Sequence, residues 1–271
     1  ASAEGLVAEV YAQIKRDFGR VVEPFTMHSP SPTLLAGVWM ACRETELVGN
    51  VPRSYKESVA AAVSKLNQCP YCIDAHTIML NATGEHTAAS SISDGDYDQI
   101  ANHRIRSLVN WALATDTPES RILRSPPFSR QDAPEIIGTA VFYHYINPVA
   151  SVLLSDTPLP SNNPWLKRPL KRAASLMFHG AVNRSKDEGD SLRFLPQTEL
   201  PADLRWAEER FNTAQAFARF AAAIEAIEEH TLPTEVRELI QKLVNGWNGK
   251  ADNLSQENLE NEISEFENPS R

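Results

Sequence analysis

Apolar side chains recur at intervals of three and four along most of this 271-residue chain, and the alternation that marks strands is nearly absent. That period confines the fold to helices packed on helices, so the chain is read as all-α. Leu6, Val7, Val10, Tyr11 and Ile14 form one face of a first helix, which Gly19 ends. After the turn-rich SPSP, a second helix is expected from Thr33 to Leu47, with Leu34, Leu35, Val38, Ala41 and Cys42 on one side, which makes Cys42 a core residue. Pro52 opens a third, where Ala60, Ala61 and Ala62 permit close packing and Asn67 is the stop. Pro70 suits the first position of a fourth, because its missing N–H would be unpaired there anyway. Cys69 is then the N-cap, Cys72 the third residue, and Gly84 the end. A fifth helix is expected from Tyr97 to Ala114. Ser129 and Asp132 resemble a capping box ahead of EIIGTAVFYHYIN, which is apolar nearly all round and should be buried until Pro148 kinks or breaks it.

The second half reads as a faded copy of part of the first. The proline-bearing stretch SDTPLPSNNPWLKRP looks like an extended connector, dividing the chain into 1–157 and 158–271. Slid by 181 positions, VPRSYKESVAAAVSKLNQC lies over LPTEVRELIQKLVNGWNGK, and Thr33 to Leu47 lies over Ala214 to Glu228. Pro52 meets Pro233 and Glu57 meets Glu238, but Cys69, Cys72 and His76 face Lys250, Asn253 and Glu257. The second copy keeps a scaffold and lacks the thiols.

Composition narrows the function classes. With 42% hydrophobic and 23% charged residues, disorder is excluded. A net charge of −9 without a basic stripe argues against nucleic acid as a partner. No run of about 18 apolar residues is present and the first twenty residues lack a signal-type apolar core, so a cytoplasmic address and no membrane partner are expected. The five tryptophans read as packing, and the acidic stretch from Glu257 to Glu267 as a solvated helix with one apolar stripe.

Three cysteines are too few for a disulfide scaffold, and two of them form C-P-Y-C. An unperturbed thiol with pKa about 8.5 supplies only about 3% thiolate at pH 7. At a helix start, unpaired N–H groups and the macrodipole favour the anion, and i, i+3 spacing lets the two sulfurs close a disulfide. His76 lies four residues after Cys72 on the same face and titrates near neutrality. Glu57, twelve positions before Cys69, could meet that face across a helix-turn-helix and complete a proton relay. Two bland readings weigh less. C-P-Y-C at a helix start is poor core placement, and a structural zinc would draw a second ligand pair that the chain lacks. His144 reads as a hydrogen-bonded core histidine rather than a ligand.

The pattern E-x11-C-x-x-C-x-x-x-H, carried by Glu57, Cys69, Cys72 and His76, resembles the core motif of the alkylhydroperoxidase AhpD branch of the carboxymuconolactone decarboxylase superfamily. The similarity runs over roughly residues 30 to 160. It implies the AhpD-like helical fold, here with a degenerate second repeat, and association into symmetric homo-oligomers. The implied chemistry is a peroxidase-type dithiol cycle on a hydroperoxide substrate, with an external dithiol as reductant and no bound cofactor. Cys72 would be the peroxidatic thiol, Cys69 the resolving thiol, and Glu57 with His76 the relay. Tyr71 is a departure, because efficient members carry histidine between the cysteines. The alternatives are a non-redox lyase of carboxymuconolactone decarboxylase type, which would not require paired cysteines, and a binding protein that uses the pair as a redox sensor.

Overall fold

A computed structural model describes residues 3–161 and 163–246. Twelve α-helices follow one another among them, and no strand is present. The first half comprises α1 (Gly5–Phe18), α2 (Glu23–Thr26), α3 (Pro32–Cys42), α4 (Arg53–Leu66), α5 (Pro70–Ala82), α6 (His86–Asp94), α7 (His103–Leu113), α8 (Arg121–Arg124) and α9 (Ala133–Leu153). The second contributes α10 (Pro164–Asn183), α11 (Phe211–Thr231) and α12 (Thr234–Gly246).

The caps fall where the chain's punctuation puts them. Gly19 closes α1 in the left-handed region at φ 83, and Ser31 caps α3 by accepting the Leu34 amide. Pro52 and Asn67 bracket α4, and Cys69 precedes α5 with Pro70 at its first position. Helix α4 is the hub, buried without interruption from Lys56 to Ser64, and Ala60, Ala61 and Ala62 let α5, α7 and α9 approach closely. Its one inward lysine needs company: Lys56 Nζ meets Glu135 of α9 at 2.7 Å and the Val48 carbonyl at 2.6 Å. A buried pair of this kind costs about 3–5 kcal/mol when one partner is removed.

Several expectations need correction. The second helix keeps its α form only to Cys42, and Arg43–Leu47 forms a π turn in which Arg43, Glu44, Thr45 and Glu46 are all buried. Arg43 is held by Asp17 and Glu44 at 2.7 Å each, so tertiary ion pairs override the amphipathic pattern. Residues His86–Asp94, too serine-rich to read as a helix, form α6 because Ala88, Ala89 and Ile92 pack inward. The expected fifth helix begins only at His103, capped by Asn102, with Tyr97–Gln99 a separate 3₁₀ turn. The Ser129 hydroxyl accepts the Asp132 amide at 3.1 Å, one half of the expected box, while Asp132, the residue before α9, makes no side-chain cap. Pro148 does not break α9, which is anchored on both sides of it by buried Ile146, Asn147 and Ala150. By length and composition α9 could span a bilayer, but half of its most apolar stretch is buried inside the fold. Pro169 lies within α10 rather than in a connector.

Helices α11 and α12 fall where the shift of 181 positions places counterparts of α3 and α4. Helices α3 and α11 cross tightly at Gly37, where a Cβ would lie 3.0 Å from the Phe220 Cα. Phe217 and Phe220 join the same core cluster as Trp39 and Val59 of the first half. The two stretches are not equivalent in packing, since α12 buries none of its residues and Glu238 is exposed. Lys250, Asn253, Glu257 and the acidic stretch lie outside the described residues, as does Trp247. Trp165, expected to pack, is 90% exposed.

Candidate active site

Helices α4 and α5 bring Glu57 and His76 into direct contact, with His76 Nδ1 donating to Glu57 Oε2 at 2.8 Å. The carboxylate fixes the tautomer, leaving Nε2 as the other working nitrogen of the ring. Glu57 is wholly buried, and Arg53, one turn earlier on α4, holds it at 2.6 Å. Burial works against the Glu57 charge, but Arg53 and His76 outweigh it and hold the carboxyl below its usual range. Burial also presses His76 down, while its bond to Glu57 and the charges of Glu57 and Glu46 carry it above the usual histidine value.

A fourth member was not foreseen. Glu46, on the π turn after α3, sets Oε1 at 3.6 Å from His76 Nδ1 and 3.7 Å from Arg53. That oxygen is buried with no hydrogen-bond partner. Its Oε2 accepts the Tyr143 hydroxyl at 2.6 Å and lies 3.5 Å from the Cys42 sulfur. Burial and the charge of Glu57 raise the Glu46 carboxyl above the ordinary value. Glu46, Glu57 and His76 lie close enough for a metal ion to be considered, yet the guanidinium of Arg53 already pairs with both carboxylates and no cysteine belongs to the trio.

Both cysteines of the pair are buried at the start of α5 and are reduced. Interaction with the Cys72 thiol, helped by the Ser151 hydroxyl, draws Cys69 down to about 6 against the penalty of burial. The same interaction, with burial, pushes Cys72 up, opposed by the Asn147 amide of α9. The two sulfurs therefore titrate as one coupled pair that shares a proton. Asn147 is itself held by Asn67 at 3.0 Å and Ser64 at 3.2 Å. Cys42 is buried in the core, as expected, and its thiol is pushed well up by burial and then by Glu46.

Cys72 and His76, but not Cys69, open onto a cavity of about 340 Å³. Its walls are apolar: Phe25, Ile78, Met79, Phe142 and Ile146 line it from the first half, and Leu170, Ala174 and Phe178 of α10 close it. Tyr71, whose hydroxyl donates to Glu23 at 3.1 Å, forms part of the wall and is unavailable as a relay. His144 lies elsewhere, bonded to Thr115 and Asn67 as a structural residue.

Over residues 34–88, which run from α3 into α6, the sequence matches the model of the carboxymuconolactone decarboxylase family. Over 248 residues, 92% of this chain and 70% of the relative, it is 40% identical to the alkyl hydroperoxide reductase of Mycobacterium tuberculosis. The chain belongs to the carboxymuconolactone decarboxylase family. The fold agrees: the alkylhydroperoxidase AhpD core structure of an uncharacterized peroxidase-related protein from Ralstonia eutropha superposes with a TM-score of 0.50. That match is 19% identical and covers 64% of this AhpD-like chain and 95% of the other. The mycobacterial relative is named for peroxide chemistry, and the fold is that of the AhpD core. Glu57, Cys69, Cys72 and His76 of this site were legible in the sequence, whereas Glu46, Arg53, Tyr143 and Asn147 were not. Arg53 stands four residues before Glu57, a spacing that signals an ion pair. Glu46 gave no signal, because an unbroken α-helix would have aimed it differently.

Proposed function

We propose that this AhpD-like chain reduces an organic hydroperoxide through a cycle in which Cys69 and Cys72 pass from dithiol to disulfide. The observation that carries the reading is the shared cavity: Cys72 and His76 face the same apolar chamber, with Glu57 and Glu46 behind the imidazole. At roughly 30 Å³ per heavy atom, 340 Å³ holds about eleven, far more than hydrogen peroxide needs. The apolar walls favour a hydroperoxide on a hydrocarbon body.

As the Cys72 sulfur attacks the terminal oxygen, its proton passes to the Cys69 thiolate beside it. The O–O bond breaks, the hydroxyl stays on Cys72 as a sulfenic acid, and the departing alkoxide takes the His76 proton to leave as an alcohol. Glu57 and Glu46 keep His76 charged for that step, and burial between two carboxylates and one arginine balances the cluster when the imidazole holds its proton. Cys69 then attacks the sulfenic sulfur, the disulfide forms and water leaves, carrying the Cys69 proton. An external dithiol restores the pair by exchange. The net reaction turns a hydroperoxide and a dithiol into alcohol, water and disulfide.

The test is thiol titration and intact mass before and after one equivalent of cumene hydroperoxide. The expected product has lost two hydrogens, with Cys69 linked to Cys72 and Cys42 free. Cys72→Ser should consume no peroxide, and Cys69→Ser, which loses the base as well as the resolving thiol, should react more slowly and stop at a sulfenic acid. A bridge through Cys42, or no reaction of the pair, refutes the cycle, and the reverse pattern of the two variants exchanges their roles.

A further inference from the structure

We propose that the outer face of α10 docks on an anionic lipid surface, with the mouth of the Cys72 cavity opening beside it. Helix α10 is two-sided in an unusual way. Its inner face is tied down by charge: Lys167 and Lys171 reach Asp74 of α5 at 2.9 and 2.8 Å, and Leu170, Ala174 and Phe178 roof the cavity. Its outer face is apolar where a solvated helix is polar. Trp165, Leu176 and Met177 are 90%, 78% and 80% exposed, and Leu166 is half-exposed beside them. At 100° per residue these side chains and Pro169 and Ala173 fall in one continuous sector.

Charge says what covers this sector. From Pro164 to Asn183 the helix carries four cations and no carboxylate, on a chain whose net charge is −9. Two of the cations are spent on Asp74, whereas Arg168 and Arg172 are exposed at the edge of the apolar sector and make no ion pair among the described residues. An apolar stripe with tryptophan at one end and arginines along its rim is the composition of a helix lying in a membrane interface. A second copy of the chain fits worse, because a two-fold contact through this face sets Arg168 and Arg172 against themselves. The cavity gives the position its use. Ala173 and Met177 belong both to the exposed sector and to the cavity lining, and Pro158 and Pro160, exposed ahead of the helix, line the same cavity. A hydroperoxide carried on an acyl chain could pass from the bilayer to Cys72 without crossing water. That last use rests on the peroxidase reading above, whereas the docking does not.

The experiment is flotation of the full chain with vesicles of phosphatidylcholine alone and of phosphatidylcholine mixed with phosphatidylglycerol. The protein should float with the anionic vesicles and not with the neutral ones, and added salt should release it. Arg168→Gln with Arg172→Gln should weaken partition about thirtyfold. Trp165→Ser with Leu176→Ser should abolish it, and both variants should keep the helical circular dichroism of the parent. Cys72→Ser should float like the parent, which separates a failure of docking from a failure of the thiol chemistry. Flotation that ignores lipid charge, or survives both double variants, overturns the proposal. So does its absence in the parent, whether sedimentation then shows the apolar variant dispersing an oligomer or cross-linking shows residues 247–271 seated on α10.

Discussion

Replacing Glu57 with glutamine removes one negative charge from the centre of the buried cluster while keeping its shape. In the native protein Glu57 accepts a hydrogen bond from His76 Nδ1–H at 2.8 Å and pairs with Arg53 at 2.6 Å, both out of water. Removing one partner of a buried pair costs about 3–5 kcal/mol, and the low end applies because Glu46, 3.7 Å from Arg53, still offsets the guanidinium. A loss of about 3 kcal/mol is survivable for a domain of ordinary stability, about 5–15 kcal/mol, so the variant should fold with a lower urea midpoint. The chemical effect is larger. His76 is raised because Glu57 bonds to it and charges it; with that removed, burial dominates and its pKa should fall below the ordinary value. The protonated imidazole that delivers a proton to the departing alkoxide then becomes scarce at neutral pH. Loss of such help costs about 10²–10⁴ in rate. Single-turnover reduction of cumene hydroperoxide followed by stopped flow, with the His76 titration read by NMR, measures both. A variant that keeps its rate and its histidine pKa would refute the relay. The pH dependence of stability follows from the same shifts. His76, raised in the fold, contributes stability below its unfolded value of about 6.5 and loses it as pH climbs through the folded value. Glu57, lowered, contributes stability above about 4.3 and loses it as pH drops through its folded value.

Alkylation of the reduced protein by iodoacetamide should show a thiolate titrating near pH 6, and this component should vanish in Cys69→Ser; its persistence there would place the charge on another sulfur. Ala174→Phe fills the cavity from α10 and should slow cumene hydroperoxide at least tenfold while sparing hydrogen peroxide, so an equal effect on both substrates would mean that the cavity does not select. Asp74→Asn removes the anchor of Lys167, Lys171 and Thr157 and should cost about 2 kcal/mol, with faster amide exchange along α10; unchanged exchange would show that packing alone holds that helix. Glu238→Gln, at an exposed position of α12, should leave turnover unchanged, and a large loss would mean that the second copy completes the site.

Which features were legible from residues alone follows from the range of the forces involved. Caps, proline positions and the run of small residues in α4 act within a turn or two, and Gly19, Pro52, Asn67 and Pro70 took the places their chemistry dictates. The reactive quartet was legible because Cys69, Cys72 and His76 share one helix and Glu57 sits on the next, where a tight turn leaves little freedom. Helix α6 was missed because serine weakens the local pattern, and its formation depends on Ala88, Ala89 and Ile92 finding a core supplied by other helices. The exposed Trp165 reversed an expectation for the opposite reason, since an apolar residue shows in the sequence but the surface it lacks does not.

The sequence by itself determined the helical class, the placement of two thiols at a helix start and the spacing that brings an acid to a histidine. The first two are local, because backbone hydrogen bonds and helical periodicity reach only four residues, and the third needs only the tight turn between α4 and α5. Tertiary structure alone decided that α3 widens into a π turn and swings Glu46 under His76, that Tyr143 of α9 arrives from 97 positions away and Asn147 from the same helix to complete the cluster, and that α10 roofs the cavity over Cys72. Burial removes water as the competing partner, so the charge of each group in that cluster depends on neighbours distant in the chain.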